Sequence, residues 1–117
     1  RAAGAQGSTL MKHLLVVLTE PVDGREAEFN EYYENLHIDE VLQTTGWQSG
    51  QRYHLTDEVG AKCPLPFLAL YEAEADDPKD VLQTLAATRS QRVQSDALNM
   101  KTAAVWVFSP TGPRHER

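Results

Sequence analysis

The sequence predicts one α+β domain with the element order βαββαβ. Three observations carry the prediction. The apolar run Leu14-Leu15-Val16-Val17-Leu18 reads as a strand buried on both faces. From about Arg25 the period becomes helical, placing Phe29, Tyr32, Tyr33 and Leu36 on one face. Two strand patterns, a second helix and a last strand then follow in order.

The first strand covers residues 12–20 and ends at Pro21, where Pro21-Val22-Asp23-Gly24 supplies turn chemistry. In the first helix Glu26, Glu28, Glu31 and Glu34 fill the polar side, and the acidic first turns suit the positive end of the dipole. His37 to Gln43 either continues this helix or forms a separate short turn. Thr44-Thr45-Gly46 stops it, with Gly46 suited to a left-handed cap. Residues 47–56 form the second strand, with Trp47, Ser49, Gln51, Tyr53 and Leu55 on one face and Gln48, Gly50, Arg52, His54 and Thr56 on the other. Gly60, Pro64 and Pro66 mark a loop over 57–66, and Phe67 to Glu74 is the third strand. Asp76-Asp77-Pro78 opens the second helix, which carries Val81, Leu82, Leu85 and Ala86 on its apolar face. Residues 90–100 are polar, with a short turn around Asp96-Ala97-Leu98. The final strand runs from about Thr102 to Ser109 through Val105-Trp106-Val107-Phe108. The domain is thus expected over 11–110. Residues 1–10 read as a tag remnant or mobile tail, and 111–117 as a flexible end.

This order is the split-βαβ, or ferredoxin-like, pattern: a four-stranded antiparallel sheet with two helices on one face. The first and last strands are apolar on both sides, so the open sheet face needs a cover. At about 25 cal/mol per Å2, a few hundred Å2 of such surface is worth several kcal/mol. A symmetric homodimer packing sheet against sheet supplies the cover. The pocket then lies between sheet and helices, or inside the barrel formed by the two sheets.

Composition narrows the partners. A net charge of −6 with scattered Lys and Arg gives no basic stripe for nucleic acid. No apolar run exceeds six residues, against roughly 20 for a bilayer span, and no signal-peptide core appears. The lone Cys63 forms no internal disulfide and no metal cluster, which fits a cytoplasmic protein. Gly46 and Gly50 are isolated, so no phosphate-cradling loop is present. His37 and Glu40 have the i,i+3 spacing of some metal sites, but nothing supplies two further ligands, and neither metal nor cofactor is expected.

Phe29-Asn30-Glu31-Tyr32-Tyr33, then Asn35-Leu36-His37-Ile38-Asp39-Glu40-Val41-Leu42, Gly46-Trp47 and Arg52-Tyr53 together resemble the EthD-like members of the dimeric α/β-barrel superfamily. Phe67-Leu68-Ala69-Leu70-Tyr71-Glu72 is similar to their third strand, and the likeness covers roughly residues 12–109. Asp39 stands where that pattern usually has proline, and Thr45-Gly46 replaces its usual Pro-Gly. The resemblance implies a dimeric barrel. It also implies one of the superfamily's activities: cofactor-free oxygenation or cyclisation of polyketides, muconolactone-type isomerisation, aldoxime dehydration or haem degradation.

The resemblance further places His37 at the pocket mouth, where a histidine serves as acid or base near neutral pH. The plainer alternative is a helix-end histidine bonded to a carbonyl. Asp39 and Glu40 either orient it or are solvated. Arg52 and His54 share a strand face, where they bind a carboxylate or polarise a carbonyl, or else sit at the sheet's exposed end. Tyr32, Tyr33, Tyr53 and Tyr71 offer hydroxyls to an aromatic pocket, although Tyr33 also suits the core against Phe29. Trp47 and Trp106 are core, interface or ligand platform. Ser95, Asp96 and Asn99 can mimic a triad with His37, without nucleophile-elbow spacing. The expected function is a small cofactor-independent enzyme moving protons on a hydrophobic aromatic or cyclic carbonyl or phenol compound. In that reading His37 moves the proton, and Arg52 or a tyrosine steadies the oxyanion. The alternatives are a binding module of the same fold and, behind it, a haem-handling protein.

Overall fold

The computed structural model describes residues 10–117. The expected tail over 1–10 lies outside these, apart from Leu10. The elements are β1 (Met11–Thr19), α1 (Glu26–Tyr32), a π turn (Tyr33–His37), α2 (Ile38–Thr45), β2 (Ser49–His54), β3 (Phe67–Ala75), α3 (Pro78–Thr88) and β4 (Ala104–Phe108). The strands form one sheet in the order β2-β3-β1-β4, and every neighbouring pair is antiparallel. This α+β arrangement is compatible with a ferredoxin-like fold. Among the described residues no helix is long and apolar enough to cross a membrane.

β1 is a central strand, and its two apolar faces meet different surroundings. Its odd positions His13, Leu15 and Thr19 are buried under the helices. Its even positions pair across the opposite face, where Val16 lies between Leu70 and Trp106. β3 turns Ala69, Tyr71, Ala73 and Ala75 toward the helices, and the small alanines let those helices approach. His13 fastens the ends of the strands: Nε2 donates to the Ala75 carbonyl at 3.2 Å, and Nδ1 accepts from the Ser109 hydroxyl at 2.9 Å.

α1, the π turn and α2 form one unbroken helical run, because Asp39 places no proline in its path. At the π turn the amide of Ile38 bonds the carbonyl of Tyr33, five residues back. This extra residue rotates the buried face. The buried series runs Phe29, Tyr33, Ile38, Val41, while Leu36, expected on that face, is 37% exposed. Gly46 ends α2 at φ 79° and donates its amide to the Leu42 carbonyl. Asp77 caps α3 by accepting from the Lys79 amide at 2.9 Å, with Pro78 in the first turn.

Trp47 lies in the core, one of its expected places, but ahead of the second strand rather than on it. That strand begins only at Ser49, and the Trp47 ring is buried 6.0 Å from that of Tyr71. Gly50, across the ladder from Tyr71, leaves room for that ring: a Cβ there would fall 2.8 Å from Tyr71 Cδ1. Gly50→Ala should therefore cost about 1–3 kcal/mol by overpacking. Urea unfolding would check this as a lowered midpoint with unchanged slope.

Candidate functional site

A cavity of about 420 Å3 lies between the helix-facing side of the sheet and the helical layer. Leu15, Val17 and Tyr71 form its floor, Leu82 and Leu85 of α3 one wall, and the π turn another. Segment 89–100, opening with a 3-10 turn over Arg89–Gln91, closes one end. The lining is chiefly apolar, with a few polar groups among it, as small-molecule sites usually are.

The π turn positions the central group. π turns occur disproportionately at functional sites. Here the turn brings Tyr32, Tyr33 and His37 together, with the Tyr32 and His37 rings stacked at 5.1 Å and Tyr33 edge-on to His37 at 5.0 Å. The Tyr32 hydroxyl lies 2.7 Å from the Val93 carbonyl and 2.9 Å from His37 Nδ1. A carbonyl only accepts, so the single phenol proton goes to Val93. His37 must then donate Nδ1–H to the phenol oxygen, which leaves the lone pair of neutral imidazole on Nε2. Among the described residues no group bonds Nε2.

Burial, reinforced by the Arg92 cation, pushes the His37 pKa down to about 4. Burial also raises the phenols: Tyr33 to about 12, and Tyr71 further in the same direction. Tyr32 rises for the same reason, with the Glu40 carboxylate adding to the shift. At neutral pH the imidazole and all three phenols are therefore uncharged. The Tyr71 hydroxyl is buried beside that of Tyr33, but no hydrogen bond of good geometry reaches it among the described residues. An unpaired buried hydroxyl costs about 1–3 kcal/mol. Tyr71→Phe should accordingly leave thermal stability unchanged or raise it, while weakening any ligand that bonds this oxygen. A thermal melt of the variant checks the first part.

Arg92 is the functional candidate that the sequence did not reveal. Only 6% exposed, it donates from Nη1 to the hydroxyls of Thr44 at 3.0 Å and Thr88 at 2.7 Å, and from Nη2 to the Leu85 carbonyl at 2.9 Å. It thus ties α2 to α3. The adjacent Val93 amide bonds Glu40 Oε1 at 2.9 Å, so Glu40 anchors the segment that holds Arg92. No local signal marks Arg92, because all these partners except Thr88 are seven or more residues away.

The other expected site residues are placed as follows. Tyr32, Tyr33, His37 and Tyr71 all line the cavity. Arg52 does not. Its guanidinium sits 5.0–5.5 Å from the rings of Phe29, Tyr33 and Phe67, bonds Asn30 Oδ1 at 2.7 Å and pairs with Glu34 at 3.3 Å. His54 is exposed at the end of β2. Tyr53 and Trp106 belong to the opposite sheet face, at 43% exposure each. The triad-like group is not assembled: Ser95 bonds the Ala97 amide, Asp96 pairs with Arg25, and Asn99 bonds the Lys101 amide. Asp39 is exposed, and Cys63 lies in the 55–66 loop, its thiol donating to the Leu65 carbonyl. Among the described residues no three His, Cys, Asp or Glu side chains gather as metal ligands.

Fold and cavity together define an α+β domain with an interior, largely apolar cavity between sheet and helices. Comparison with family models, with curated proteins and with solved structures finds no match.

Proposed function

We propose that the chain is an EthD-like member of the dimeric α/β-barrel superfamily, working as a small cofactor-independent enzyme that transfers protons on a hydrophobic aromatic or cyclic carbonyl or phenol compound. The observation that carries this reading is the fixed tautomer of His37, which offers Nε2 as acceptor in a largely apolar cavity. His37 removes a proton from carbon beside a carbonyl, or from a phenol, and returns it at another position of the same molecule. The oxyanion that forms meanwhile is balanced by Arg92, in the role first expected of Arg52, and by the Tyr71 hydroxyl. The test is deuterium uptake, followed by NMR in D2O, into cyclic ketones and 1,3-dicarbonyl compounds. Exchange above the buffer rate supports the reading, and exchange at the buffer rate across the panel removes it.

The pKa near 4 favours a second reading, because so weak a base is a poor proton acceptor at neutral pH. A binding module needs no such base. It would bind the same compounds without turnover, and with equal affinity after loss of His37.

The homodimer belongs to the same proposal. Trp106, Phe108, Leu14 and Tyr53 are 36–57% exposed on the open sheet face, a surface that a second copy would bury. Light scattering at micromolar concentration should give a dimer for the wild type and a monomer for Trp106→Glu. A monomeric wild type overturns the barrel.

A further inference from the structure

The chain carries a net charge of −6 and 17 carboxylate side chains, yet none of those carboxylates lines the cavity. The charged residues in its wall are Arg92 and Arg89. Neither takes part in any ion pair formed among the described residues. Arg92 is the more telling of the two. Its hydrogen-bond acceptors are two hydroxyls and a carbonyl, all neutral, and its Nε is buried without a partner. Of the five N–H donors of a guanidinium, these bonds use three. The neutral acceptors satisfy geometry, while the Glu40 carboxylate, bonded to the Val93 amide, favours the cation through space without pairing with it. A cation removed from water without a direct ion-pair partner is costly to fold around, so such groups normally face a carboxylate. Arg89 is exposed at the mouth, where an incoming anion would meet it first.

Apolar side chains such as Leu82, Val105 and Met100 supply most of the remaining wall. We infer that the cavity takes an organic carboxylate on an apolar ring body, whose anionic group provides the direct ion-pair partner that Arg92 and Arg89 lack. A carboxylate fits better than an enol or phenol, because it is ionised before any reaction begins. The inference rests on the proposed function only in taking this cavity as the working site, and it names the substrate class.

The test is isothermal titration with 1-naphthoate and with 1-naphthamide, which has nearly the same shape and no charge. Wild type should bind the carboxylate at least about tenfold more tightly at low salt, a difference within the range of hydrogen bonds to charged groups. The preference should shrink in Arg89→Gln, persist in Arg92→Lys and vanish in Arg92→Gln. If Arg92→Gln fails to fold, the Arg89→Gln result and the salt dependence of the wild-type preference decide. Bound naphthoate should also raise the NMR titration midpoint of His37 above its resting value of about 4, since a new anion joins the neighbouring Arg92, Tyr32 and Tyr33. Equal affinity for amide and carboxylate overturns the inference while leaving the cavity as a site. Binding of neither compound at millimolar concentration overturns both. A carboxylate preference kept by His37→Gln, in a protein that exchanges no protons, upholds the inference and discards the enzyme reading.

Discussion

His37→Gln is expected to lower carbon-bound proton exchange by about two to four orders of magnitude, the usual contribution of a positioned acid or base. Glutamine retains a side chain of comparable reach and can still bond the Tyr32 hydroxyl, so folding should survive. A loss confined to turnover, with ligand affinity intact, marks a group acting on the proton. A parallel loss of binding would instead make His37 a wall of the pocket. A variant as active as wild type rejects the catalytic role.

The pH profile separates this histidine from an ordinary one. The ring is held near pKa 4 against a usual 6.5, chiefly by burial and then by Arg92. If turnover needs neutral imidazole, kcat/KM, which reports the unliganded protein, should stay level as pH falls through 6.5 and drop only near 4. Stability follows the same group with a defined sign. The unfolded chain takes up a proton near 6.5, whereas the folded chain resists doing so until about 4. The contribution is therefore complete above 6.5 and lost as pH falls from 6.5 to 4, by roughly 3 kcal/mol at most. His37→Gln should flatten that part of the stability curve, as denaturant midpoints at pH 7, 5.5 and 4.5 would show.

The sheet was legible because its rules are local. Leu14 to Leu18 read as a strand apolar on both faces, and Phe67 to Glu74 as the third strand, and both lie in the sheet. The site was legible only in part. Tyr32, Tyr33 and His37 were picked out by helical spacing and resemblance, yet the π turn that aims them has no sequence period of its own. One extra residue replaced Leu36 with Ile38 on the buried face. Arg52 drew attention through its strand partner His54. Its surroundings, three aromatic rings with Asn30 and Glu34, are assembled from distant positions and hold it outside the cavity. Arg92 was hidden for the opposite reason. It sits in the polar run Gln91-Arg92-Val93-Gln94-Ser95, and only packing against α2 and α3 turns that surface-like sequence into an interior charge.

Phe29→Ala should be the most damaging of the core substitutions. Phe29 is 0% exposed and is the first member of the buried series that leads to the π turn. Its ring lies 5.6 Å from Tyr33 and 5.2 Å from Phe67, and the Arg52 guanidinium stands 5.5 Å from its centre. Truncation removes this aromatic surface and leaves a void that Arg52 cannot fill without leaving Asn30 and Glu34. The cost should reach about 3–5 kcal/mol, a large share of the 5–15 kcal/mol typical of a whole domain. Phe29→Leu, which keeps most of the volume, should cost clearly less. Denaturant unfolding of both variants checks the order, and an equal loss would show that the aromatic face toward Arg52 matters more than the filled space. Tyr33 also loses its edge contact, so the π turn should loosen with the core. Phe29→Ala should then weaken ligand binding in a cavity that Phe29 does not line, whereas a variant destabilised with unchanged affinity would show that the Tyr32–Val93 clasp alone holds His37 in place.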